Sequence, residues 1–593
     1  MLLLAINIFP LIWTIYLSFT NYRANRPNAP VLNVGIEHYR SILSNPDIWT
    51  AMQATAHFVV WTFILQTLLG VTLAYLIDRK FRGHAFWTTV ILIPMKLSPA
   101  VVGNFWTFLY QSQIGLFNYI VSFFTGWPPS LFEMLGSVKL APWAIIIVDT
   151  WMWTPYVMLI CLAGLRSIPD YIYEAAEVDR ASPVRQFFWI TLPMALPFIM
   201  LAILFRGIEN FKMFDMVNLL TGGGPGSVTE LASITLKREA FEKWRTGYSS
   251  AFAIILFVAV FGLANIYVKA LSQVKKPMSI SSAHSVVAPS SAAKWVSGTL
   301  VILYAVITMV PLFWIFATGM KTPPDSISYP PKVIFQPTLE GYCNLFTTRT
   351  RQTKVYIDAL GPSTGTCDQI TRSRDMVIAG SSNYWPRFVN SIIIAFGSTF
   401  LAVVLGTLSA YGFSRFNVPL KDDLLFFILS TRMMPPIAVA IPIHLMYRQL
   451  DLSDTALGMI FLYTAVNVSL AVWLLKGFVD EIPREYEDAA MIDGYTRLQA
   501  FRKVVLPQAL TGIAATAIFC LIFAWNEYAF AVLLTSGTAQ TAPPFIPTII
   551  GEGGMDWPAV GGGTTLFLIP ILVFTVLTRK HLLHGITFGA VRK

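Results

Sequence analysis

The sequence predicts an all-α polytopic membrane protein made of two tandem six-helix units, and three observations predict it. First, the 593-residue chain is 55% hydrophobic and only 12% charged, with mean hydropathy +0.60, whereas soluble domains carry about 25% charged residues. Second, apolar runs of bilayer-crossing length recur along the chain, among them AIIIVDTWMWTPYVMLICLAGL at 144–165 and SIIIAFGSTFLAVVLGTLSAYGF at 391–413; about 20 apolar residues span the hydrocarbon core. Third, a hydrophilic module occurs twice, YEAAEVDRASPVRQFFWITLP at 173–193 and EDAAMIDGYTRLQAFRKVVLP at 487–507, and internal repetition is diagnostic of architecture.

The first unit has apolar runs at 1–19, 55–77, 87–110, 141–165, 195–219 and 249–271. The N-terminal run MLLLAINIFPLIWTIYLSFTNY lacks the basic start and small-residue cleavage site of a signal peptide, so it reads as a first transmembrane helix. Residues 272–294, SQVKKPMSISSAHSVVAPSSAAK, are rich in Ser, Ala and Pro and read as a flexible linker. The second unit, 295–593, has runs at 295–318, 386–413, 423–447, 455–476, 509–533 and 563–579. The units are thus 1–271 and 295–593, with module loops at 166–193 and 480–507 and a long polar loop at 320–385.

Orientation follows from the short basic loops DRKFRGH (78–84) and SRFNVPLKDD (414–423) and the tail TRKHLLHGITFGAVRK (578–593), which belong in the cytoplasm. The modules and the linker then lie inside and 320–385 outside. That outer loop carries Arg349, Arg351, Arg372 and Arg374, but long loops translocate regardless of charge. The net charge of +10 has the same origin, and nucleic acid is not a partner. Cys161 and Cys520 fall in apolar runs and read as packing residues; Cys343 and Cys367 share the outer loop, where paired and free forms both stand open.

The two modules align without a gap. Pro169, Glu174, Asp179, Ser182 and Pro193 correspond to Pro483, Asp488, Asp493, Thr496 and Pro507, each 314 residues on. Each copy reads as two short helices with a bend: Pro169 and Pro483 suit a first helical turn, and Ala175, Ala176, Ala489 and Ala490 favour helix. Gly494 permits a turn at φ > 0, and Ser182 and Thr496 are N-cap residues that restart the helix. Two readings stand: a pair lying at the membrane interface, anchored by Phe187, Phe188 and Trp189, or a knob docking into a partner. Two copies in register favour a partner with two equivalent sockets.

The chain carries no G-x(4)-G-K-[ST] loop; GGGPGS at 222–227 lacks the lysine, so nothing here cradles nucleotide phosphates. The histidines show no metal-ligand spacing, and no residue is assigned a catalytic or metal-binding role. Charge inside the bilayer is expensive and marks function, which singles out FRGIENFKMFDMVN at 205–218. Arg206, Glu209 and Asn210 are expected on one helical face, and Lys212 with Asp215 at i,i+3 spacing. Internal salt bridging and a polar solute site are both open for this stretch. In the second unit Asn526 and Glu527 follow a Trp in the equivalent helix.

The pattern E-A-A-x(3)-G-x(9)-I-x-L-P resembles the signature loop of membrane subunits of bacterial binding-protein-dependent ABC importers. The first unit is similar to the F-type permease of the carbohydrate (maltose/glycerol-phosphate-like) branch at LSFTNY (17–22), LLTGGGP (219–225) and REAFEKWRTGYSSAFA (238–253). The second resembles the G-type permease at MKTPPDSISYPP (320–331), IPREYEDAAMIDG (482–494) and AWNEYAFAVLL (524–534). The resemblance covers nearly the whole chain except the linker and roughly 346–384. It implies a type I importer fold of about 12 transmembrane helices in a bacterial inner membrane. It implies ATPase coupling through Glu174, Ala175, Ala176, Asp179, Arg180, Asp488, Ala489, Ala490, Asp493 and Gly494. Arg180 stands where the family has Gly, so it must adopt φ > 0 or reshape the turn. The implied partners are two copies of an ABC ATP-binding subunit, which hold ATP and Mg while this chain holds no cofactor. An external solute-binding protein would deliver a sugar-type small molecule.

Carried over by position, the implied sugar-contacting residues are Trp151, Met152, Trp153, Arg206, Glu209, Asn210 and Met213, of which only Trp151 and Asn210 are of the family type. Arg206 and Lys212 raise an anionic glycoside or glycerol derivative as the solute, since guanidinium suits oxyanions. The competing reading is an ion-gradient-driven secondary transporter with six-plus-six helices, which gives no reason for the duplicated module. A membrane-embedded enzyme lacks an acid–base or metal constellation, and an exporter permease lacks the loop signature.

Overall fold

The computed structural model describes residues 2–26, 28–273, 291–551 and 554–586. Most of the expected linker, residues 274–290, and the end of the basic tail lie outside the described residues. In the first half the membrane helices are α1 (Leu2–Ser18), α2 (Pro46–Asp78), α3 (His84–Ile91) with α4 (Pro99–Leu109), α5 (Ala141–Arg166), α7 (Leu192–Phe211) with α8 (Asp215–Leu220), and α9 (Thr246–Gln273). A short helix α6 (Asp170–Val178) lies between α5 and α7. The second half runs through α10 (Ser291–Gly319), α13 (Tyr384–Arg415), α14 (Lys421–Ser430) with α15 (Pro436–Gln449), α16 (Ala456–Asp480), α18 (Leu510–Asn526) with α19 (Ala529–Leu534), and α20 (Trp557–Ile586). Its short helix of the same kind, between α16 and α18, is α17 (Glu485–Ile492).

Among the described residues eight helices are long and apolar enough to span a bilayer, or nine if a pair bent by 72° at Ala509 is one span. The other expected runs are present but interrupted or short. The runs at 87–110 and 423–447 each break into two helices around a 3-10 turn, Pro94–Lys96 and Thr431–Met433. Pro94, Pro99, Pro435 and Pro436 sit at these breaks, where a missing N–H cannot continue the helix. The runs at 195–219 and 509–533 break at 212–214 and 527–528. Irregular backbone at membrane depth survives only where protein or a water-lined path satisfies it, and all four breaks meet at the interface of the halves.

Each half has the same core: α2 lies along α5 and α7 closes over both, as α13 lies along α16 beneath α18. The first helix of each half reaches across to the other, α1 against α15 and α16, and α10 against α2 and α3. The helices touch closely where a ring meets a glycine. A Cβ on Gly164 of α5 would sit 2.7 Å from Phe198 of α7, and one on Gly512 of α18 would sit 2.3 Å from Phe478 of α16. In the 314-residue register Gly164 matches Phe478 and Phe198 matches Gly512, so the ring and its socket exchange helices between the halves. Outward-facing rings and aliphatics such as Leu68, Ile266, Leu300 and Phe400 are exposed on the lipid-facing surface.

The long polar loop at 320–385 contains a folded insertion. Helix α11 (Glu340–Phe346) leads into β1 (Thr347–Arg351), which pairs antiparallel with β2 (Met376–Ser381), with α12 (Thr366–Arg372) between them. Cys343 and Cys367 form a disulfide that ties α11 to α12. Three of the loop's arginines meet acids: Arg349 reaches Asp556 at 3.0 Å, Arg372 reaches Asp368 at 2.8 Å, and Arg374 grips Glu340 through two bonds of 3.1 Å. Asp556 also accepts from Asn344 and from the Ala559 amide, which fastens the insertion to the start of α20. Thr364 and Arg372 hold the Asp368 carboxyl below the usual range, its backbone bond from Thr364 contributing most.

Candidate functional site

Both module copies fold as two short helices with a bend, but the prolines stand before the helices and not in their first turns: Pro169 is the extended N-cap residue and Pro483 precedes the N-cap Arg484. α6 has Asp179 as its C-cap residue, and α17 has Asp493. The turn residues are Arg180 at φ 55° and Gly494 at φ 88°. Each helix then closes with the same pair of bonds. Ala181 N donates to Ala176 O and Arg180 N to Glu177 O, both at 2.9 Å, and Tyr495 N donates to Ala490 O and Gly494 N to Met491 O at 3.0 and 3.1 Å. This is the Schellman arrangement that satisfies terminal carbonyls. Arg180 therefore keeps the glycine-type turn instead of reshaping it, at about 1–2 kcal/mol of backbone strain. Ser182 accepts from the Arg185 amide, and Thr496 makes a full capping box with Gln499. A π-helical turn, Phe187–Thr191 or Phe501–Val505, joins each copy to its membrane helix.

The repeated positions are presented alike. Ala176 and Ala490 are buried as the seat of the bend, while Ala175, Ala489, Asp179, Arg180, Asp488, Asp493 and Gly494 are exposed and Glu174 is half-buried. Each copy also displays two bare apolar side chains that sequence reasoning passed over: Val178 and Val184, 83% and 67% exposed, and their register mates Ile492 and Leu498, 86% and 73% exposed. In the 314-residue alignment an apolar residue recurs at both positions, which was the available signal.

The second candidate region is the contact between halves at the broken helices. Lys212 Nζ donates to the Arg432 carbonyl at 2.9 Å, and Asn526 Nδ2 donates to the Lys96 carbonyl at 2.9 Å. Lys212 and Asn526 are register mates, so the two bonds are related by the duplication. Ser98 Oγ donates to Asn526 O at 3.0 Å, and Asn218 Nδ2 to the Tyr528 hydroxyl at 3.2 Å. Glu527 accepts from the Tyr463 hydroxyl and from the Phe530 and Ala531 amides, capping α19.

The charged stretch at 205–218 divides between these environments. Arg206 and Asn210 point into the first half, where Arg206 Nη2 meets Asp149 at 3.0 Å, Arg206 Nε donates to Gln66 Oε1 at 3.1 Å, and Asn210 Nδ2 donates to Thr62 at 2.7 Å. Gln66 Nε2 in turn donates to Asp149 at 2.7 Å, and the guanidinium lies 4.5 Å from the Trp153 ring. Glu209, on the same helix, does not join this network: its carboxylate pairs with Lys212 at 3.0 Å, and the residue is half-buried. Lys212 and Asp215 are not an i,i+3 helical pair either, because the helix ends at Phe211 and restarts at Asp215. Met152 is fully buried and Met213 nearly so, whereas Trp151 is half-buried and donates to Thr308 O on α10 at 3.1 Å. The structure thus brings Trp153, Arg206 and Asn210 together and sends Trp151, Met152 and Glu209 elsewhere. Asp149, Gln66 and Thr62 were missed; the lone carboxylate in the run 144–165 was the legible sign. The register mates of Asp149, Arg206 and Asn210 are Tyr463, Cys520 and Ala524, so this network exists in one half.

A family model described as binding-protein-dependent transport system inner membrane component matches residues 66–275 and again 402–581, together more than half of the chain. A probable ABC transporter permease protein, y4oQ, of Sinorhizobium fredii is 35% identical over 255 residues, 43% of this chain and 81% of the relative. The trehalose/maltose transport system permease protein MalF of Thermococcus litoralis is 33% identical over 262 residues, 44% of this chain and 87% of the relative. The trehalose transport system permease protein SugB of Mycobacterium tuberculosis is 33% identical over 297 residues, 50% of this chain and 95% of the relative.

Proposed function

Because the chain belongs to the family of binding-protein-dependent transport system inner membrane components and carries its domain twice, we propose that it supplies both permease domains of an ATP-driven importer for a sugar. Residues 1–271 and 295–593 form the two permease domains of a multi-pass inner-membrane protein. A pair of ATP-binding subunits docks on the two cytoplasmic modules, and a solute-binding protein delivers cargo to the outer face, the insertion at 320–385 included. ATP and Mg are held by those subunits.

One observation carries the docking reading: two helix pairs, in unbroken register, each present bare aliphatic side chains, Val178 with Val184 and Ile492 with Leu498. Exposed apolar groups repeated on twin knobs fit twin sockets. Closure of the ATP-binding subunits would draw the modules together and move the halves about the broken helices, in alternating access. The contacts of Lys212 with Arg432 and of Asn526 with Lys96 would open in that motion.

A neutral, hydroxylated solute suits the mid-membrane chemistry. Arg206 is matched by Asp149 and Lys212 by Glu209, so an anionic glycoside would have to displace an existing carboxylate. The test is uptake into proteoliposomes holding the chain with its ATP-binding subunits. Import of neutral sugars that requires ATP supports the reading, as does loss of subunit binding in Ile492→Asp. Transport driven by an ion gradient without those subunits would overturn it in favour of a secondary transporter. Import confined to anionic glycosides and abolished by Arg206→Ala would replace the neutral solute with an anionic one.

A further inference from the structure

A second repeat, distinct from the module, lies at the cytoplasmic ends of α2 and α13: GVTLAYLIDR at 70–79 and GTLSAYGFSR at 406–415 share Gly, Ala, Tyr and Arg at a spacing of 336 residues. In the second half its Tyr and Arg converge on one carboxylate of the neighbouring module. The Arg415 guanidinium pairs with Glu487, the two side chains being 6% and 7% exposed. The Tyr411 hydroxyl donates to Glu487 Oε2 at 2.8 Å. Arg415 Nη2 also donates to Ile482 O at 2.8 Å, and Arg484 Nη2 donates to Ser414 O at 2.7 Å. Beside these bonds Tyr411 packs on Phe501 at 4.6 Å, within an apolar cluster that includes Val479, Ile482 and Val505.

The first half differs at this point. The register mate of Glu487 is Tyr173, which carries no carboxylate and bonds Thr191 at 3.0 Å instead. Arg79 turns back onto its own helix, with its guanidinium 4.6 Å from the Tyr75 ring.

Apolar contacts between helices can slide by small shear motions, whereas a buried carboxylate held by a guanidinium and a hydroxyl has one geometry. We propose that Glu487, clamped by Arg415 and Tyr411, is a positioning residue for energy coupling that makes the second cytoplasmic helix pair one rigid body with the end of α13. Displacement of the module tip then turns α13 as a lever instead of being absorbed in the loop. The first module, built with Tyr173, lacks this clamp, so the two halves respond unequally to the same push.

The inference rests on the coupling role proposed above, and one preparation separates the two. The full chain, assembled with its ATP-binding subunits in proteoliposomes, is assayed for sugar imported and ATP hydrolysed in the same vesicles. If the unaltered chain binds no such subunit, the coupling role itself falls, and this inference with it. Given binding, Glu487→Gln should leave the subunits attached and hydrolysis largely intact while sugar imported per ATP falls about tenfold or more. Lys476→Gln, which breaks the more exposed Lys476–Asp480 pair at the same membrane face, should leave that ratio unchanged. A ratio within about twofold of the unaltered chain in Glu487→Gln overturns the proposal, because a merely structural role lowers yield without lowering the ratio. Should Glu487→Gln fail to assemble, Tyr411→Phe removes a single hydrogen bond and decides: a fall of about twofold or more supports the clamp, and an unchanged ratio overturns it.

Discussion

Replacing Asp149 tests the polar network of the first half. Asp149 and Arg206 are 0% and 3% exposed, and the carboxylate accepts from Arg206 Nη2 at 3.0 and 3.2 Å and from Gln66 at 2.7 Å. Asp149→Leu removes all three bonds and leaves a guanidinium at membrane depth with Gln66, Asn210 and the Trp153 ring but no counter-charge. Two bonds to a charged group at about 1.5–3 kcal/mol each give about 3–6 kcal/mol, which agrees with the roughly 3–5 kcal/mol for removing one partner of a buried pair. Removing the charge as well, in Asp149→Leu with Arg206→Met, should recover at least about 2 kcal/mol, since an apolar pair of similar volume is nearly neutral. Equilibrium unfolding in mixed detergent micelles, followed by tryptophan fluorescence, measures each variant. A loss below about 1 kcal/mol in Asp149→Leu, or a double variant as unstable as the single one, would refute the network as a structural element.

Three further outcomes follow from features at the two membrane faces. Cys343→Ser opens a covalent loop with a sequence separation of 24; the chain-entropy relation puts the loss at about 3.5 kcal/mol, to be seen as faster proteolysis within 347–381 on intact outward-facing vesicles. Arg180→Gly should stabilise the first module by about 1 kcal/mol because the turn already lies at φ 55°, and Gly494→Ala should weaken the second by a similar amount; hydrogen exchange at Ala181 and Tyr495 reports both. Lys321 is fully buried, lies 3.5 Å from the Trp314 ring, and has its amine pushed down to about 8 by burial. Between about 8 and the ordinary 10.5 the unfolded chain holds the extra proton, so thermal stability should rise with pH across that window and stay level below it. Lys321→Met should abolish the rise.

The apolar runs and the duplicated module were legible because both are local patterns: hydropathy over 20 residues, and caps and turns at fixed offsets. The breaks near Lys96 and Arg432 had a local sign in Pro94, Pro99, Pro435 and Pro436. Those at 212–214 and 527–528 had none, because no proline or glycine interrupts KMF or EY and the neighbouring half dictates the bend. The ion-pair partner of Arg206 lay 57 residues away on another helix, so helical spacing assigned it Glu209 and Asn210, while the fold kept Asn210 and gave it Asp149 in place of Glu209. The Cys343–Cys367 bond was undecidable until the strands brought α11 and α12 together. The clamp on Glu487 escaped because its repeat runs at 336 residues and the module at 314, so no single alignment shows both.

The exchange of ring and glycine between the fifth and seventh helices of one half and their counterparts in the other bears on how such a chain can change over time. Recombination that carried α18 into the place of α7 would set Gly512 against Gly164 and open a void, while α16 in the place of α5 would drive Phe478 into Phe198. Each half therefore travels as a matched set, and a fused coding sequence that inherits both sets together never meets the mismatch that shuffling separate parts would expose.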